Sequence, residues 1–193
     1  GTTVSGEMHI RGTVGNHVAY AITPRADLFA GDSSARLVNG YVKTHIGAVE
    51  VQAGKDELWW GPMHQSSLNL SNNMNALTGV KVTTINPVKV GGTFRFLRSI
   101  KPTFVYAKLS DDRNDVKHPD FVGARIEVSP TRRLVLGASM TSIIGGKGRH
   151  LSLSDYGRFL IGKNADSASK DKWNSIAGYD IKWTLPSMEV YGM

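Results

Sequence analysis

Apolar and polar residues alternate with a period of two through much of this chain, and this pattern constrains the fold more than any other feature. Within 121–128, the apolar residues at every second position are separated by Gly123, Arg125 and Glu127. The same alternation returns in 49–53, 134–141 and 180–184. Because successive side chains of a strand point to opposite faces, each segment predicts a strand with one apolar face and one polar face.

The connections between these segments are predicted to alternate in length. Gly15 and Asn16 predict a tight hairpin between strands at about 4–14 and 18–30. The other short connections are at 47–48, 129–132 and 185–187, and the longer polar connections are at 31–34, 56–77, 110–119 and 142–174. Short turns at one rim and long loops at the other are typical of an up-and-down transmembrane barrel. For residues 87–102 we favour a short helical link over a strand, since a link keeps the long loops at one rim.

We therefore expect an all-β fold, an antiparallel up-and-down transmembrane β-barrel, with residues 1–193 forming a single segment of a longer barrel. The alternative from the pattern is a soluble antiparallel sandwich, which also alternates. Two features favour the membrane barrel over the sandwich. Opposite charges on the polar face suit a hydrated lumen, and aromatic residues near strand ends suit membrane interfaces. These aromatic residues are Tyr20, Phe29, Tyr41, Phe104, Tyr106, Trp183 and Tyr191.

The net charge of +7 favours an anionic partner. Nucleic acid, phosphorylated lipid and acidic polysaccharide all fit that sign.

The sequence also excludes several kinds of site. The chain has no cysteine, and no apolar run approaches the roughly 18 residues of a membrane helix. Its six histidines show no metal-binding spacing, so we expect no metal and no cofactor. Asp56 and Glu57 are adjacent and would point to opposite faces of a strand, so we expect no catalytic residues and no enzymatic activity.

The segment 56–77 interrupts the alternation and is rich in tryptophan, asparagine and serine. Trp59 and Trp60 stand side by side before Gly61 and Pro62, which end any regular element. Flat aromatic rings beside amides and hydroxyls suit a sugar, because the ring stacks on C–H groups while the polar side chains bind hydroxyls. The alternative is a loop folded into or over the lumen whose tryptophans fill space. The candidate hydrogen-bonding residues are Gln65, Ser66, Asn69, Ser71, Asn72 and Asn73.

The run from Gly54 through Trp59, Trp60, Gly61 and Pro62 to Asn73 resembles the signature of the capsule assembly Wzi family. Three later pieces are similar to that family in the same order. They are the strand and turn 119–130, the glycine-rich loop 145–149, and the strand containing Gly178, Asp180 and Trp183. The chain departs from the family pattern at Met63, where family members generally carry glycine, and at Asn73-Met74-Asn75-Ala76.

The resemblance implies a bacterial outer-membrane protein that binds capsular or other surface polysaccharide, like a lectin, and helps to attach or assemble it. We expect the polysaccharide to be anionic, with Arg125 and Arg149 supplying positive potential, and we expect contact with outer-membrane lipid but not with nucleic acid. Family barrels are longer, so this chain is similar to the middle of one. Its first and last strands would then expose edges that could pair with other chains. The alternatives are a passive porin, a soluble carbohydrate-binding β-protein and, without a carboxylate pair to support it, a soluble carbohydrate-active enzyme.

Overall fold

The computed structural model describes residues 3–29, 31–58, 60, 76–109, 119–145, 173–185 and 189–192, which form one antiparallel sheet of twelve strands. The strands are β1 (Val4–Glu7), β2 (Ile10–Val14), β3 (Val18–Phe29), β4 (Asp32–Ile46), β5 (Val49–Asp56), β6 (Leu77–Thr84), β7 (Val88–Lys89), β8 (Ser99–Lys108), β9 (Asp120–Val128), β10 (Leu134–Ile144), β11 (Trp173–Thr184) and β12 (Glu189–Gly192). A 3₁₀ helix occupies Gly92–Leu97. Across the described ranges, no helix is long and apolar enough to cross a membrane.

The strands follow one another across the sheet in chain order, as an up-and-down topology requires. The path runs β1, β3, β4, β5, β6, β8, β9, β10, β11, β12, with β2 paired to β3 and β7 paired to β8. β1 and β2 lie along the same edge of β3, where Glu7 pairs with Arg25 and Ile10 pairs with Ile22. In the described part of the sheet, this edge and β12 at the far side do not pair with each other.

The connections differ at the two rims of the sheet, as the sequence predicted. We call the rim with the connections 15–17, 47–48 and 129–133 the short-turn rim, and the opposite rim, with 57–76, 109–119 and 145–172, the long-loop rim. The link from β6 to β8 lies at the short-turn rim and contains the 3₁₀ helix, which confirms a helical link at Gly92–Leu97, although Val88–Lys89 forms strand β7. Its predicted end at 102 was wrong, because β8 already begins at Ser99.

The connection between β3 and β4 corrects a second prediction. Residues 31–34 were expected to form a polar link, but β4 begins at Asp32, which pairs with Phe29. Only residues 30 and 31 connect the two strands. Ser33 and Ser34 are polar strand residues that pair with Leu28 and Asp27, and both are exposed at the long-loop rim, where water suits polar side chains.

The register assigns each alternating set to one face of the sheet. The apolar face carries Ile126 beside Ala138, which in turn pairs with Tyr179. The polar face carries Arg125 beside Ser139 and Lys81 beside Gln52. Tyr41 pairs with Gly54 and shares the polar face with its cross-strand neighbours, so its predicted place among outward aromatic residues was wrong.

Burial divides the two faces in the opposite sense to a soluble protein. Polar-face side chains are buried, including Gln52, Arg125, Ser139, Thr141 and Asp180, whereas on the apolar face Phe104, Ile126, Leu136 and Ile181 are each about two-fifths exposed. In a soluble sandwich the apolar face would form the core. A sheet that encloses polar residues and exposes apolar ones instead fits the wall of a membrane barrel. At the long-loop end, Val122 and Ile144 are an exception, since they are buried together on the apolar face.

Candidate functional site

The tryptophan pair meets the barrel wall through Trp60. This residue is only 5 % exposed and packs in a cluster with Val105, Ala107 and Phe121. All three lie on the polar face of neighbouring strands, where Ala107 pairs with Phe121. Trp60 therefore lies on the inner side of the sheet, at the end nearer the long-loop rim.

Gly123 leaves the space that the Trp60 ring occupies. A Cβ atom built at Gly123 would overlap the six-membered edge of that ring, so any larger residue here would displace it. Gly123 pairs with Val105 on β8 and Thr141 on β10. A glycine in the middle of three paired strands therefore forms a shallow depression into which the aromatic ring fits.

Both ends of the tryptophan- and asparagine-rich segment lie at this cluster, since Leu58 and Leu77 pack against it. Asp56 and Leu77, the predicted ends of the segment, in fact belong to β5 and β6 and pair with each other. The burial of Trp60 supports the space-filling alternative for this ring, because the ring packs against the wall. The residues predicted to bind sugar beside it lie outside the described part of the chain: Trp59, Gln65, Ser66, Asn69, Ser71, Asn72 and Asn73.

Gln52, Asp56 and Lys81 form a polar group next to this cluster, which the sequence did not predict. The Gln52 Nε2 donates to Asp56 Oδ2 at 2.6 Å, and the Lys81 Nζ lies 3.9 Å from the same oxygen. Gln52 and Lys81 pair across β5 and β6, so the side chains share the polar face. The spacing of Gln52 and Asp56 on one strand gave a signal for a shared face, but only the register brings Lys81 to them.

A second constellation on the polar face joins two of the recognised motifs. Arg125 Nη1 donates to Asp180 Oδ2 at 2.6 Å, and Nη2 donates to Asp180 Oδ1 at 3.0 Å. The Arg125 Nε also donates to Glu127 at 3.0 Å. The Arg125 and Asp180 side chains are 5 % and 2 % exposed, so this is a buried, bidentate ion pair.

The ion pair crosses β10 above Gly137. Gly137 pairs with Glu127 on one side and with Asp180 on the other, and a Cβ atom there would collide with both charged groups. The predicted role of Arg125 in attracting sugar is not supported by this geometry, because two carboxylates already bind its guanidinium. Arg125 instead ties β9 to β11, and Asp180 holds the other end.

The remaining motif residues have separate positions. Gly54 adopts φ of 135°, in a conformation that side chains disfavour, beside Tyr41. Gly178 pairs with Ser139 on the polar face, whereas Trp183 is 52 % exposed on the apolar face near the short-turn rim. Gly61, Pro62 and Arg149 lie outside the described ranges. Among the described residues, no group of three or more His, Asp or Glu side chains could hold a metal ion.

The fold and the buried polar face together define a class of protein, an outer-membrane-type β-barrel wall with a polar inner face. Residues 1–192 match the family described as capsule assembly protein Wzi, and the chain belongs to that family. The sequence-based recognition and the all-β barrel fold are thereby confirmed.

Two similar proteins extend this result. The solved structure of Wzi from Escherichia coli is described as an outer-membrane protein involved in group 1 capsule assembly and as a carbohydrate-binding β-barrel. It matches with a TM-score of 0.78 and 23 % identity, over 97 % of this chain and 41 % of that chain. A Klebsiella pneumoniae protein described as an uncharacterized 55.8 kDa protein in the cps region is 28 % identical over 134 residues. That match covers 68 % of this chain and 26 % of the relative, so this chain spans less than half the length of either.

Proposed function

We propose that this protein acts in the bacterial outer membrane, where it binds capsular or other surface polysaccharide and helps to attach or assemble it. The observation that carries this proposal is the family match over residues 1–192. The exposed apolar face supports the membrane location, since it would be covered by lipid. The E. coli relative is described as carbohydrate-binding, which supports the choice of ligand.

The polar face is the proposed side for the polysaccharide. Trp60 anchors the start of the Ser- and Asn-rich segment on this face, and Leu77 anchors its end. In this proposal Trp60 positions the segment through the wall, while Trp59 and the amide and hydroxyl groups that follow bind the sugar. Arg125 contributes to the wall through its ion pair with Asp180.

A tryptophan exchange tests this assignment in capsulated cells. Trp59→Ala combined with Trp60→Ala should release polysaccharide from cells into the medium, measured as the ratio of released to cell-bound polymer. Trp183→Ala is the matched control, because Trp183 is half-exposed on the opposite face of the sheet. Unchanged retention in the double variant, with the barrel intact and correctly located, would overturn the proposed site.

The anionic character of the polysaccharide is a further part of the proposal, supported by the net charge of +7. Binding of an acidic polymer should weaken with added salt because counterions screen the attraction. A neutral polymer of similar length provides the comparison. Equal binding of both polymers at every salt concentration would contradict an electrostatic preference.

We also propose that binding occurs without cleavage of the polymer. Purified protein incubated with the polysaccharide should leave its chain length unchanged, whereas shortening would indicate an enzyme.

A passive porin remains the alternative for a membrane barrel. In planar bilayers the proposed protein should conduct poorly, and a large, steady conductance without polymer binding would favour the porin.

A further inference from the structure

Basic residues gather at the short-turn rim on two neighbouring connections. The link 85–98 carries Lys89, Arg95 and Arg98, and the turn 129–133 carries Arg132 and Arg133. All five residues are exposed, and neither connection contains an acidic residue. The two connections meet where the backbone N–H of Ser129 donates to the Ser99 carbonyl at 2.9 Å. They therefore form one continuous cationic surface, which we call the basic rim.

Exposed aromatic residues accompany these charges. Phe94 and Phe96, on either side of Arg95 in the 3₁₀ helix, are 59 % and 65 % exposed, and their rings contact each other at 6.3 Å between centroids. Exposure of large apolar side chains to water is unfavourable. Phenylalanine interleaved with arginine suits the boundary between lipid headgroups and acyl chains, where apolar and charged groups are both accommodated.

An apolar groove of about 560 Å³ lies on the apolar face between the basic rim and the middle of the sheet. Its surface dips because small residues lie beside large ones: Ala138 lies between Ile126 and Tyr179, and Met140 lies between Ala124 and Ala177. The groove also contacts Val82, Pro102 and Phe104. Most of the residues that line the groove belong to the apolar face, so the groove opens toward the lipid.

We propose that the basic rim and the groove form one binding site for a glycerophospholipid with an anionic headgroup, drawn from the leaflet beside the short turns. Arginine side chains of the rim bind the phosphate, and one acyl chain lies in the groove. This inference rests on the proposed membrane location and adds a specific lipid partner to it.

The dimensions of the strands connect the two parts of the site. Ala138 on β10 lies five positions after Arg133, the last residue before that strand, and a strand rises about 3.3 Å per residue. The groove therefore begins within roughly 17 Å of the basic rim, which is the scale of one leaflet of a hydrocarbon core about 30 Å thick. A lipid whose headgroup contacts the arginines can extend an acyl chain along the groove.

Charge complementarity favours an anionic lipid over a zwitterionic one. Each Lys or Arg near an anionic membrane surface strengthens the electrostatic attraction to it. In the described residues, none of the five rim cations has an acidic partner that would neutralise it. By contrast, Lys43 and Arg125 on the polar face are paired, Lys43 with Glu50 at 3.3 Å and Arg125 with Asp180 at 2.6 Å. Phosphatidylglycerol should therefore bind in preference to phosphatidylethanolamine.

Native mass spectrometry of the full-length protein in detergent tests the site. Phosphatidylglycerol and phosphatidylethanolamine with identical acyl chains are added at equal concentration, and the bound lipids are counted. The wild-type protein should retain phosphatidylglycerol about tenfold more than phosphatidylethanolamine. The variant with Arg95→Gln, Arg98→Gln, Arg132→Gln and Arg133→Gln should lose this preference. Arg132→Gln with Arg133→Gln should weaken the preference, whereas Lys55→Gln with Lys108→Gln, which removes the same number of charges at the opposite rim, is the control and should keep it.

A second pair of variants tests the groove. Ala138→Phe fills it and should reduce retention of both lipids about tenfold, whereas Ala53→Phe should not. Ala53 lies on the same face between Val42 and Val80, outside the groove. Equal binding of the two lipids by the wild-type protein, or an unchanged preference in the arginine variant, would overturn the headgroup site. Normal binding by Ala138→Phe would overturn the acyl groove.

Capsule retention separates this inference from the proposed function. If both are correct, the arginine variant loses its lipid preference while its cells retain polysaccharide. Loss of polysaccharide retention with unchanged lipid binding would show that the basic rim serves another partner, and would overturn the lipid site. Failure of the tryptophan exchange alone would overturn the polysaccharide site and leave the lipid result to stand on its own.

Discussion

The guanidinium of Arg125 and the carboxylate of Asp180, 55 residues apart in sequence, form two parallel hydrogen bonds across the strand that separates them. Neither residue is on β10, yet β10 supplies the space through Gly137. The pair therefore depends on three strands in one register. It also joins two of the segments that resemble the family, the strand 119–130 and the strand that contains Gly178, Asp180 and Trp183.

Breaking this pair from one side should be costly. Arg125→Met leaves the Asp180 carboxylate buried without a cation. Asp180→Leu leaves Glu127 as the one carboxylate that still binds the Arg125 guanidinium. Each should lower the free energy of unfolding by about 3–5 kcal/mol. The double variant should lose much less than the sum, because no buried charge is left without a partner at this position.

Urea unfolding of vesicle-inserted protein measures these losses in a double-mutant cycle. Lys43 and Glu50 provide the matched pair, since both are partly exposed on the same face. Neutralising that pair should change the free energy of unfolding by at most about 1 kcal/mol. Additive losses at Arg125 and Asp180 would show that the pair does not act as a unit.

Filling the depression at Gly123 should displace Trp60. Gly123→Val should destabilise the protein by about 1–3 kcal/mol through overpacking, and should red-shift tryptophan fluorescence as an indole moves toward water. Gly6→Val is the control, because a Cβ atom at Gly6 meets nothing within 4 Å. A Gly123→Val protein with unchanged fluorescence and stability would contradict the packing of Trp60 on this wall.

A cation should be tolerated on one face of β8 and not on the other. Phe104→Lys places a charge on the apolar face near the middle of the strand, and should cost about 2–4 kcal/mol in a bilayer. Thr103→Lys places it on the polar face, where the hydrogen bond with Thr83 is lost and Arg125 is the cross-strand neighbour. These two effects together should cost about 1–2 kcal/mol. Folding yield into vesicles compares the two, and equal losses would contradict the assigned faces.

The sequence predicted the two faces because alternation is local, whereas their cross-strand partners depend on register. The polarity of Arg125 and Asp180 was visible, but their contact follows from the length of the turn 129–133 and the pairing of β10 with β11. Ser33 and Ser34 were interpreted as a link, because polar residues at an exposed strand end carry no burial signal. The segment 56–77 did not predict which way the Trp59 and Trp60 rings point, since a ring packed on the wall and a ring facing sugar have the same sequence pattern.

The central claim is that the apolar face contacts lipid and the polar face lines a hydrated lumen, and single-cysteine labelling tests it directly. The chain has no cysteine, so each substitution provides one unique thiol. Three strands offer adjacent pairs with one residue on each face: Val42 and Lys43, Val80 and Lys81, and Ile181 and Lys182. A fluorescent label at each position is exposed in turn to brominated lipid and to a water-soluble quencher.

Labels at positions 42, 80 and 181 should be quenched by the brominated lipid and protected from the aqueous quencher. Labels at positions 43, 81 and 182 should show the opposite behaviour. Quenching by brominated lipid at the lysine positions, or no alternation between neighbours on the same strand, would contradict the account.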